Sequence, residues 1–343
     1  PAIATGHHGN FVITFGGSSS PDEDIFARLS APSAHAADVD VHTVAGTSSN
    51  MNGVLEAGET VQVSPHWFNN LAAPFPLTAT ASNIRGPAGP TYMLNDTTAD
   101  YGTIAAQSPS QCFAATGDCY LVTVTGARPV PHWDVKFDEM LSTNTVKTRT
   151  LHVGESFPDV PTTNNFYSFI ETLFHNEITG GCGGGNYCPT NPVTRAQMAV
   201  FLLKTEHGAA YLPPPCAGIF GDVPCPSQFA DWIEQLYAEG VTGGCQASPL
   251  HYCPANPVTR AQMAVFLLKV EHGTGYVPPA CAGLFGDVAC PSTFANWIEQ
   301  LYNEGVTGGC QASPLLYCPV NPVTRGQMAV FITKTFGFKL YPP

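Results

Sequence analysis

The sequence predicts a multidomain chain with an all-β first half and an all-α second half. Three observations carry this expectation. Residues 37–153 alternate apolar and polar side chains in short runs separated by turn residues, the period-two pattern of half-buried strands. After about residue 155 one pattern recurs three times, each copy carrying apolar residues at helical spacing. Twelve cysteines fall into six close pairs, five of them inside the repeats.

Charge narrows the function classes. The 343 residues hold 13 Lys and Arg against 26 Asp and Glu, for a formal net charge of -13. Charged residues make up 11% of the chain, well under the roughly 25% of an average soluble domain. An acidic chain without clustered Lys and Arg argues against nucleic acid as a partner. No apolar run approaches the roughly 18 residues of a membrane-spanning helix. Pro1 is not a natural start, which points to a processed N-terminus. Weakly charged surfaces of this kind pack against copies of themselves with little ion desolvation.

Residues 1–36 read as an N-terminal arm. Phe11, Val12, Ile13, Thr14 and Phe15 form a β-prone run, preceded by His7-His8 and followed by a Gly- and Ser-rich stretch. Such a run needs a sheet edge to pair with. Pairing into a neighbouring subunit would be strand addition and would polymerise the protein; an extra edge strand in its own domain is the alternative.

Residues 37–153 carry strand patterns at 60–63, 120–124 and 146–151. Several short strands in about 115 residues predict an antiparallel β-sandwich of immunoglobulin-like type. Asn50, Asn52, Glu56 and Glu59 lie in an N-x-N-G-x-L-E-x-G-E stretch that resembles the opening of many bacterial surface sandwich domains. Their oxygens suit Ca²⁺, while an Asn-Gly turn leading into a strand explains the same residues without metal. Calcium is the only cofactor the sequence invites, and none is required.

The cysteines pair as Cys112/Cys119, Cys182/Cys188, Cys216/Cys225, Cys245/Cys253, Cys281/Cys290 and Cys310/Cys318. Each pair encloses a short stretch rich in Gly, Pro, Ser or Ala. Zinc competes with disulfides for this pattern, but structural zinc pairs sit two to four residues apart and these lie six to nine apart. Six local disulfides predict an oxidising, extracellular setting.

The repeats fill the rest, at 154–216, 217–281 and 282–343. Phe157, Phe220 and Phe285 open the three copies, stepping by 63 and then 65 residues. In the second copy Phe229, Trp232, Ile233, Leu236 and Tyr237 mark one face of a helix that Gly240 stops. A second helix starts at Thr259, where Thr259 and Gln262 form a capping box, repeated as Thr194/Gln197 and Thr324/Gln327. Met263, Phe266 and Leu267 supply its apolar stripe. One such pair buries too little on its own, so the three are expected to pack around a shared centre.

The order F-x-D-V-P, helix, G-(I/V)-T-G-G, Y-x-P and P-(I/V)-T-R-A resembles the S-layer homology family, which comes in threes. The resemblance covers roughly residues 155–343. It implies a pseudo-threefold helical trimer, here with cystine loops, that binds a wall-linked polysaccharide at a bacterial cell surface. By the same resemblance Arg195, Arg260 and Arg325 would line the glycan groove, and Asp159, Asp222 and Asp287 would take the family's Asp position. The residues themselves also allow plainer roles: first-turn arginines bonding between lobes, and aspartates capping local turns. Two departures stand out. The family's acidic residue in T-R-A-E is Gln197, Gln262 and Gln327 here, and the third copy has Gly326 in place of Ala.

The search for catalytic motifs finds no nucleophile elbow, zinc-protease helix or phosphate-binding loop. Glu206-His207 and Glu271-His272 are the remaining titratable clusters. Trp67, Trp133, Trp232 and Trp297 are candidates for stacking on sugars. The expected function is a secreted, non-enzymatic surface protein that assembles with copies of itself into a filament or layer. Envelope anchoring through wall polysaccharide is the alternative, and a glycan-active enzyme, whose paired carboxylates would meet only in three dimensions, is a third.

Overall fold

The structure, a computed structural model, describes residues 33–41, 49–50 and 52–340 in full, together with the backbone of His42 and of strands β1 (Ala2–Thr5), β2 (Phe11–Phe15) and β3 (Phe26–Ser30). His7, His8 and residues 16–21 lie outside the described residues. The chain divides into two compact units, residues 1–154 and 155–340.

In the first unit β2 is the middle strand of a three-stranded antiparallel sheet, with β1 on one edge and β3 on the other. Neither expectation for Phe11–Phe15 describes this arrangement. Both of its hydrogen-bonding edges are taken within the chain, so it is neither an unpaired strand awaiting a neighbour nor an added edge of the larger sheets.

The larger sheets come from β4 (Ala34–His42), β5 (Thr60–Asn69), β6 (Phe75–Arg85), β7 (Thr91–Asp96), β8 (Thr98–Ile104), β9 (Pro109–Gln111), β10 (Tyr120–Thr125), β11 (Asp134–Leu141) and β12 (Val146–His152). One sheet runs β4-β5-β10-β7 with β9 also paired to β5; the other runs β12-β11-β6-β8, and every pairing is antiparallel. A short helix, α1 (Cys112–Ala115), follows β9. Alternation decides which side chains turn inward. Leu77, Ala79 and Ala81 of β6 and Val135, Phe137 and Leu141 of β11 are buried, and they share one core with Val61, Val63 and Trp67 of β5 and Val122 and Val124 of β10.

Glu139 breaks that pattern by occupying a core-facing position of β11 with no exposure. Its carboxylate pairs with Arg149 of β12, Nε to Oε2 at 2.7 Å. Oε1 accepts from Trp67 Nε1 at 3.2 Å, Tyr120 Oη at 3.0 Å and Tyr101 Oη. Arg149 donates onward to the carbonyls of Ala37 and His66 and lies 4.8 Å from the Trp67 ring centre. Burial and the Glu139 charge both push the Tyr101 and Tyr120 phenols well above their usual range, keeping them as donors. One buried ion pair thus joins both sheets through directional bonds.

The second unit holds α2 (Tyr167–His175), α3 (Arg195–His207), α4 (Ala230–Ala238), α5 (Arg260–His272), α6 (Ala295–Asn303) and α7 (Arg325–Thr335). Thr194, Thr259 and Thr324 cap α3, α5 and α7, each with the reciprocal Gln bond of a capping box. The helices do not pair within a repeat. Instead α3 packs on α4, α5 on α6, and α7 returns to α2, so each second helix lies against the first helix of the next copy. Where α3, α5 and α7 begin, the backbone closes a ring: Val258 N donates to Val193 O, Val323 N to Val258 O, and Val193 N to Val323 O, each at 2.9 Å. All three valines are fully buried.

The closure from α7 to α2 explains the departure at residue 326. A Cβ on Gly326 would lie 2.5 Å from Cδ2 of Phe166, where the other copies carry Ala196 and Ala261. The neighbour of Phe166 is the bulky, buried Tyr167, which replaces Ala230 and Ala295 of the other copies and whose hydroxyl accepts from Glu155 N. A larger residue on α2 is matched by a smaller one on α7.

Both features set measurable stabilities. Arg149→Ala should lower unfolding free energy by about 3–5 kcal/mol, because it leaves Glu139 charged, buried and unpaired; a urea-denaturation loss below about 1 kcal/mol would contradict the ion-pair account. Gly326→Ala should destabilise by about 1–3 kcal/mol through overpacking, despite alanine's better helix propensity. A higher melting temperature for that variant would show that Phe166 moves aside freely.

Candidate functional site

The helix caps place Arg195, Arg260 and Arg325 at the first position of α3, α5 and α7, where each reaches the next copy. Arg195 Nε donates to Tyr252 O at 2.7 Å and its Nη2 to Thr242 Oγ1 at 3.4 Å, while Tyr252 Oη donates back to Arg195 O at 2.8 Å. Arg260 makes the same exchange with Tyr317 and Thr307. Arg325 completes the ring on Tyr187 and Thr179 of the first copy. Each guanidinium also stands 4.7 Å from the ring centre of that tyrosine. The interlobe role expected of a first-turn arginine is the one observed.

These arginines are only 4–5% exposed, and none of the ion pairs among the described residues involves them. Burial lowers each guanidinium from its ordinary value, opposed by the partner tyrosine and by Asp222, Asp287 or Asp159. Among the described residues, Nη1 of each makes no protein hydrogen bond.

Each arginine lines a groove to which all three copies contribute. One groove, of about 220 Å³, is lined by Arg195 from the first copy, Thr242, Gly243 and Gln262 from the second, and Phe294 from the third. Its counterparts hold Arg260 with Thr307, Gly308, Gln327 and Phe166 (about 230 Å³), and Arg325 with Thr179, Gly180, Gln197 and Phe229 (about 390 Å³). Glycine is required beside the cystine hairpin: Gly244 has a φ of +83°, and a Cβ there would run into the His251 carbonyl oxygen.

Asp159, Asp222 and Asp287 serve the backbone behind the grooves. The two oxygens of Asp222 accept from the N–H groups of Tyr252 and Cys253 at 2.8 and 2.7 Å. Asp159 holds Tyr187 and Cys188, and Asp287 holds Tyr317 and Cys318, in the same way. These are long-range clamps across 28–31 residues rather than local caps. They fix Cys188, Cys253 and Cys318 in left-handed backbone, at φ of 59°, 58° and 57°. Burial of Asp222 opposes ionisation, but these backbone donors outweigh it and hold the carboxyl below its usual value.

All six expected disulfides are present and no free cysteine remains among the described residues. Their likeness in sequence hides three different positions. Cys182–Cys188, Cys245–Cys253 and Cys310–Cys318 close the hairpins beside the grooves. Cys216–Cys225 and Cys281–Cys290 instead close the loops that lead to α4 and α6, with Cα atoms 6.0 Å apart. Cys225 is exposed, while Cys216 N donates to Asp231 of α4 at 2.9 Å and Cys281 N to Asn296 of α6 at 3.0 Å. Cys112–Cys119 belongs to the β unit, where both residues are buried in the core and tie α1 to the start of β10. Cys112, Cys119, Cys216, Cys225, Cys281 and Cys290 pair as the spacing predicts, but none of them lines a groove.

A further anchor escaped the sequence reading. Glu171, Glu234 and Glu299 are buried on α2, α4 and α6 and accept backbone donors from the preceding loop, Glu234 from Ala217, Gly218 and Ile219. The available signal was an acidic residue at the same helix position in every copy of a charge-poor chain.

The other candidates separate from the grooves. Trp67 and Trp133 are buried in the β unit and cannot stack on a ligand, whereas Trp232 and Trp297 are half-buried beside Tyr211 and Tyr276. His207 meets Glu239 at 2.8 Å and His272 meets Glu304 at 2.9 Å, joining successive copies. Asn50, Asn52, Glu56 and Glu59 close a turn on themselves. The Asn50 and Asn52 amides donate to Glu56, the Asn oxygens accept from Asn52 N and Val54 N, and Glu59 accepts from Asn50 N and Glu56 N. The oxygens offered to Ca²⁺ are thus engaged by N–H donors, in the turn that the sequence also allowed.

Comparison with known families finds a match to the S-layer homology domain over residues 156–199. No curated protein matches the chain. A domain of this kind is a surface-anchoring module rather than a catalytic one, and it marks a bacterial cell-surface protein held at the wall. No helix among the described residues is long and apolar enough to cross a membrane.

The clamp makes a pH-dependent prediction. Because the Asp222 carboxyl is lowered in the folded state, its stabilisation is present above the unfolded carboxylate value of about 3.9 and is lost as pH falls through the folded value. Asp222→Asn should therefore be less stable than the parent at pH 7, with the gap narrowing below about pH 4. Urea denaturation of both proteins across that range checks it, and a gap that stays constant into acid would remove the carboxylate from the account.

Proposed function

We propose that the three copies form a pseudo-threefold S-layer homology trimer that grips an anionic wall polysaccharide, holding an immunoglobulin-like β-sandwich at the bacterial surface. The observation that carries this reading is the threefold groove with a buried guanidinium at its wall. Each arginine is desolvated, has no carboxylate partner among the described residues, and retains donors on Nη1. An anionic sugar substituent would complete its charge, while Thr, Gln and the adjacent loop offer hydrogen bonds to hydroxyls. An aromatic ring from the third copy, Phe166, Phe229 or Phe294, provides an apolar face for a pyranose ring. Asp159, Asp222 and Asp287 act behind this surface by fixing its loops. Self-assembly into a filament or layer rests on the weak surface charge alone, since Phe11–Phe15 is already flanked on both sides.

Replacing the arginines would undo the ring between copies, so the test enters from the groove instead. Gly180, Gly243 and Gly308 line the three grooves, have no positive φ, and leave open space where a Cβ would stand. Changing all three to Asp places a carboxylate beside each guanidinium. Co-sedimentation with wall sacculi that retain their anionic polysaccharide should fall at least tenfold, with the far-ultraviolet circular dichroism unchanged. Sacculi stripped of that polymer should not retain the parent. Undiminished binding by the triple variant, or no binding by the parent, would sink the proposal.

A further inference from the structure

Two of the three junctions between copies carry a constellation of ligand-type side chains away from the grooves. At the first, Glu206 and His207 end α3, and Glu239 stands at the C-cap of α4. His207 Nε2 lies 2.8 Å from Glu239 Oε1 and 3.9 Å from Glu206 Oε2. One ligand atom from each residue lies within 4.8 Å of the other two. The second junction repeats the arrangement with Glu271, His272 and Glu304, at 2.9 and 3.7 Å. At the third, Phe336, Gly337 and Asn176 take the corresponding positions and offer no such set. None of the two triads' residues lines a groove, so the inference stands apart from the polysaccharide reading.

Three features favour a cation over hydrogen bonding alone. The His207 bond falls on Glu239 Oε1, which also accepts from Gln235 Nε2 at 2.7 Å, whereas Oε2 of Glu239 is buried and has no donor among the described residues. Burial and the neighbouring Glu239 charge raise the Glu206 carboxyl above its ordinary value, and His207 only partly opposes them; Glu271 is raised in the same way beside Glu304. A divalent ion would relieve that repulsion. Both α3 and α4 also end at the cluster, so the negative ends of two helix dipoles meet there.

The geometry can admit an ion. Ligand atoms of one tetrahedral ion at about 2.0–2.2 Å from the metal sit roughly 3.3–3.5 Å apart. The contacts of 2.8 and 3.9 Å straddle that separation, so each carboxylate has to shift by about half an ångström. The three side chains are 20–34% exposed and have room to do so. The imidazole itself is held: its ring lies over Tyr211, 4.3 Å between centres, and Tyr211 meets Trp232 edge-on. His272, Tyr276 and Trp297 repeat this ladder.

We propose that Glu206, His207 and Glu239 bind a divalent transition metal of the Zn²⁺ class, that Glu271, His272 and Glu304 bind a second, and that each ion staples one copy to the next. Two carboxylates and a neutral imidazole balance the ion's charge, and water from the solvent side completes its coordination. The imidazole nitrogen favours Zn²⁺ over Ca²⁺ and Mg²⁺, which take mainly oxygen.

The test is calorimetric titration of Zn²⁺ into the chelator-treated full chain, compared with Glu206→Gln, Glu271→Gln and the double variant. These changes remove a ligand but leave the His207–Glu239 and His272–Glu304 hydrogen bonds in place, so a cluster that is only hydrogen-bonded would not respond. Other histidines also take up zinc weakly, and the readout is therefore the difference between proteins. Each single variant should bind one equivalent less than the parent, or bind it at least tenfold more weakly, and the double variant should lose two. Zn²⁺ should raise the melting temperature of the parent more than that of the double variant, and Ca²⁺ and Mg²⁺ should give no corresponding binding. Both substituted positions are exposed, so the variants are expected to fold, which circular dichroism verifies. Equal zinc stoichiometry and affinity in the parent and the double variant would overturn the proposal, as would absence of zinc uptake by the parent.

Discussion

The helical unit depends on an exchange that each copy makes with the next: an arginine inserted under the neighbour's tyrosine, and that tyrosine's hydroxyl returned to the arginine's own carbonyl. Removing a guanidinium from water costs several kcal/mol, and no carboxylate among the described residues forms an ion pair with it, although Asp159, Asp222 or Asp287 opposes part of the loss. What offsets it here is a charge-assisted bond to a backbone carbonyl, a contact with a threonine hydroxyl and two aromatic faces, Tyr252 and Phe266 in the case of Arg195. None of those partners lies in the first helical turn that carries the arginine. A single copy would therefore hold a desolvated cation with little to bond, and two copies would leave one arginine and one tyrosine unmatched. Three close the cycle. The same logic appears in the backbone ring of Val193, Val258 and Val323 and in the packing of every second helix on the next copy's first helix.

This architecture determines the character of the grooves. An arginine that is spent structurally is also a fixed positive charge at the wall of a cleft, in a protein whose net charge is -13. Asp159, Asp222 or Asp287 acts on it from behind the groove, but the third residue of each helix is Gln rather than an acid, so the first turn adds no further negative charge. Gln197, Gln262 and Gln327 still complete the capping boxes, so the helix start is preserved while the groove keeps its charge. On the function proposed above, a neutral Gln at this position suits an anionic ligand better than an acidic residue would.

How much of this was legible in the sequence depended on the range of each interaction. The caps Thr194, Thr259 and Thr324, the apolar stripe Met263–Phe266–Leu267 and the pairing of the cysteines all rest on residues within a few positions of each other, and all read correctly. Strand alternation located β5, β10 and β12 for the same reason. Interactions across tens of residues were not legible. Asp222 meets Tyr252 and Cys253 thirty residues on, so it reads as a turn residue. Glu139 reads as a polar interruption because its partners Trp67, Tyr101 and Tyr120 come from three other strands. Spacing paired Cys112 with Cys119 and Cys216 with Cys225, yet it could not separate a cystine in a β core from one closing an exposed loop, since what surrounds each comes from distant strands and helices. The choice of partners for Phe11–Phe15 is likewise a property of the sheet and not of the strand. Gly326 is explained only by Phe166, 160 residues earlier in the chain, whose ring lies against it.

The groove-side disulfides gain a more specific meaning from this chain of dependence. Loops of six or eight residues restrict the unfolded chain by only about 2–2.5 kcal/mol each in the chain-entropy picture. Their positions matter more than that sum. Cys188, Cys253 and Cys318 follow directly after the tyrosines that receive the arginines, and each sits in left-handed backbone, which disfavours a non-glycine residue. The cystine restrains one side of that residue and the aspartate clamp fixes its amide, so the preceding tyrosine carbonyl points at the incoming guanidinium. Cystine, aspartate, tyrosine and arginine therefore act in series. The loop that forms the groove is held by the chain's own contacts, so a ligand bound there as proposed would not have to order it.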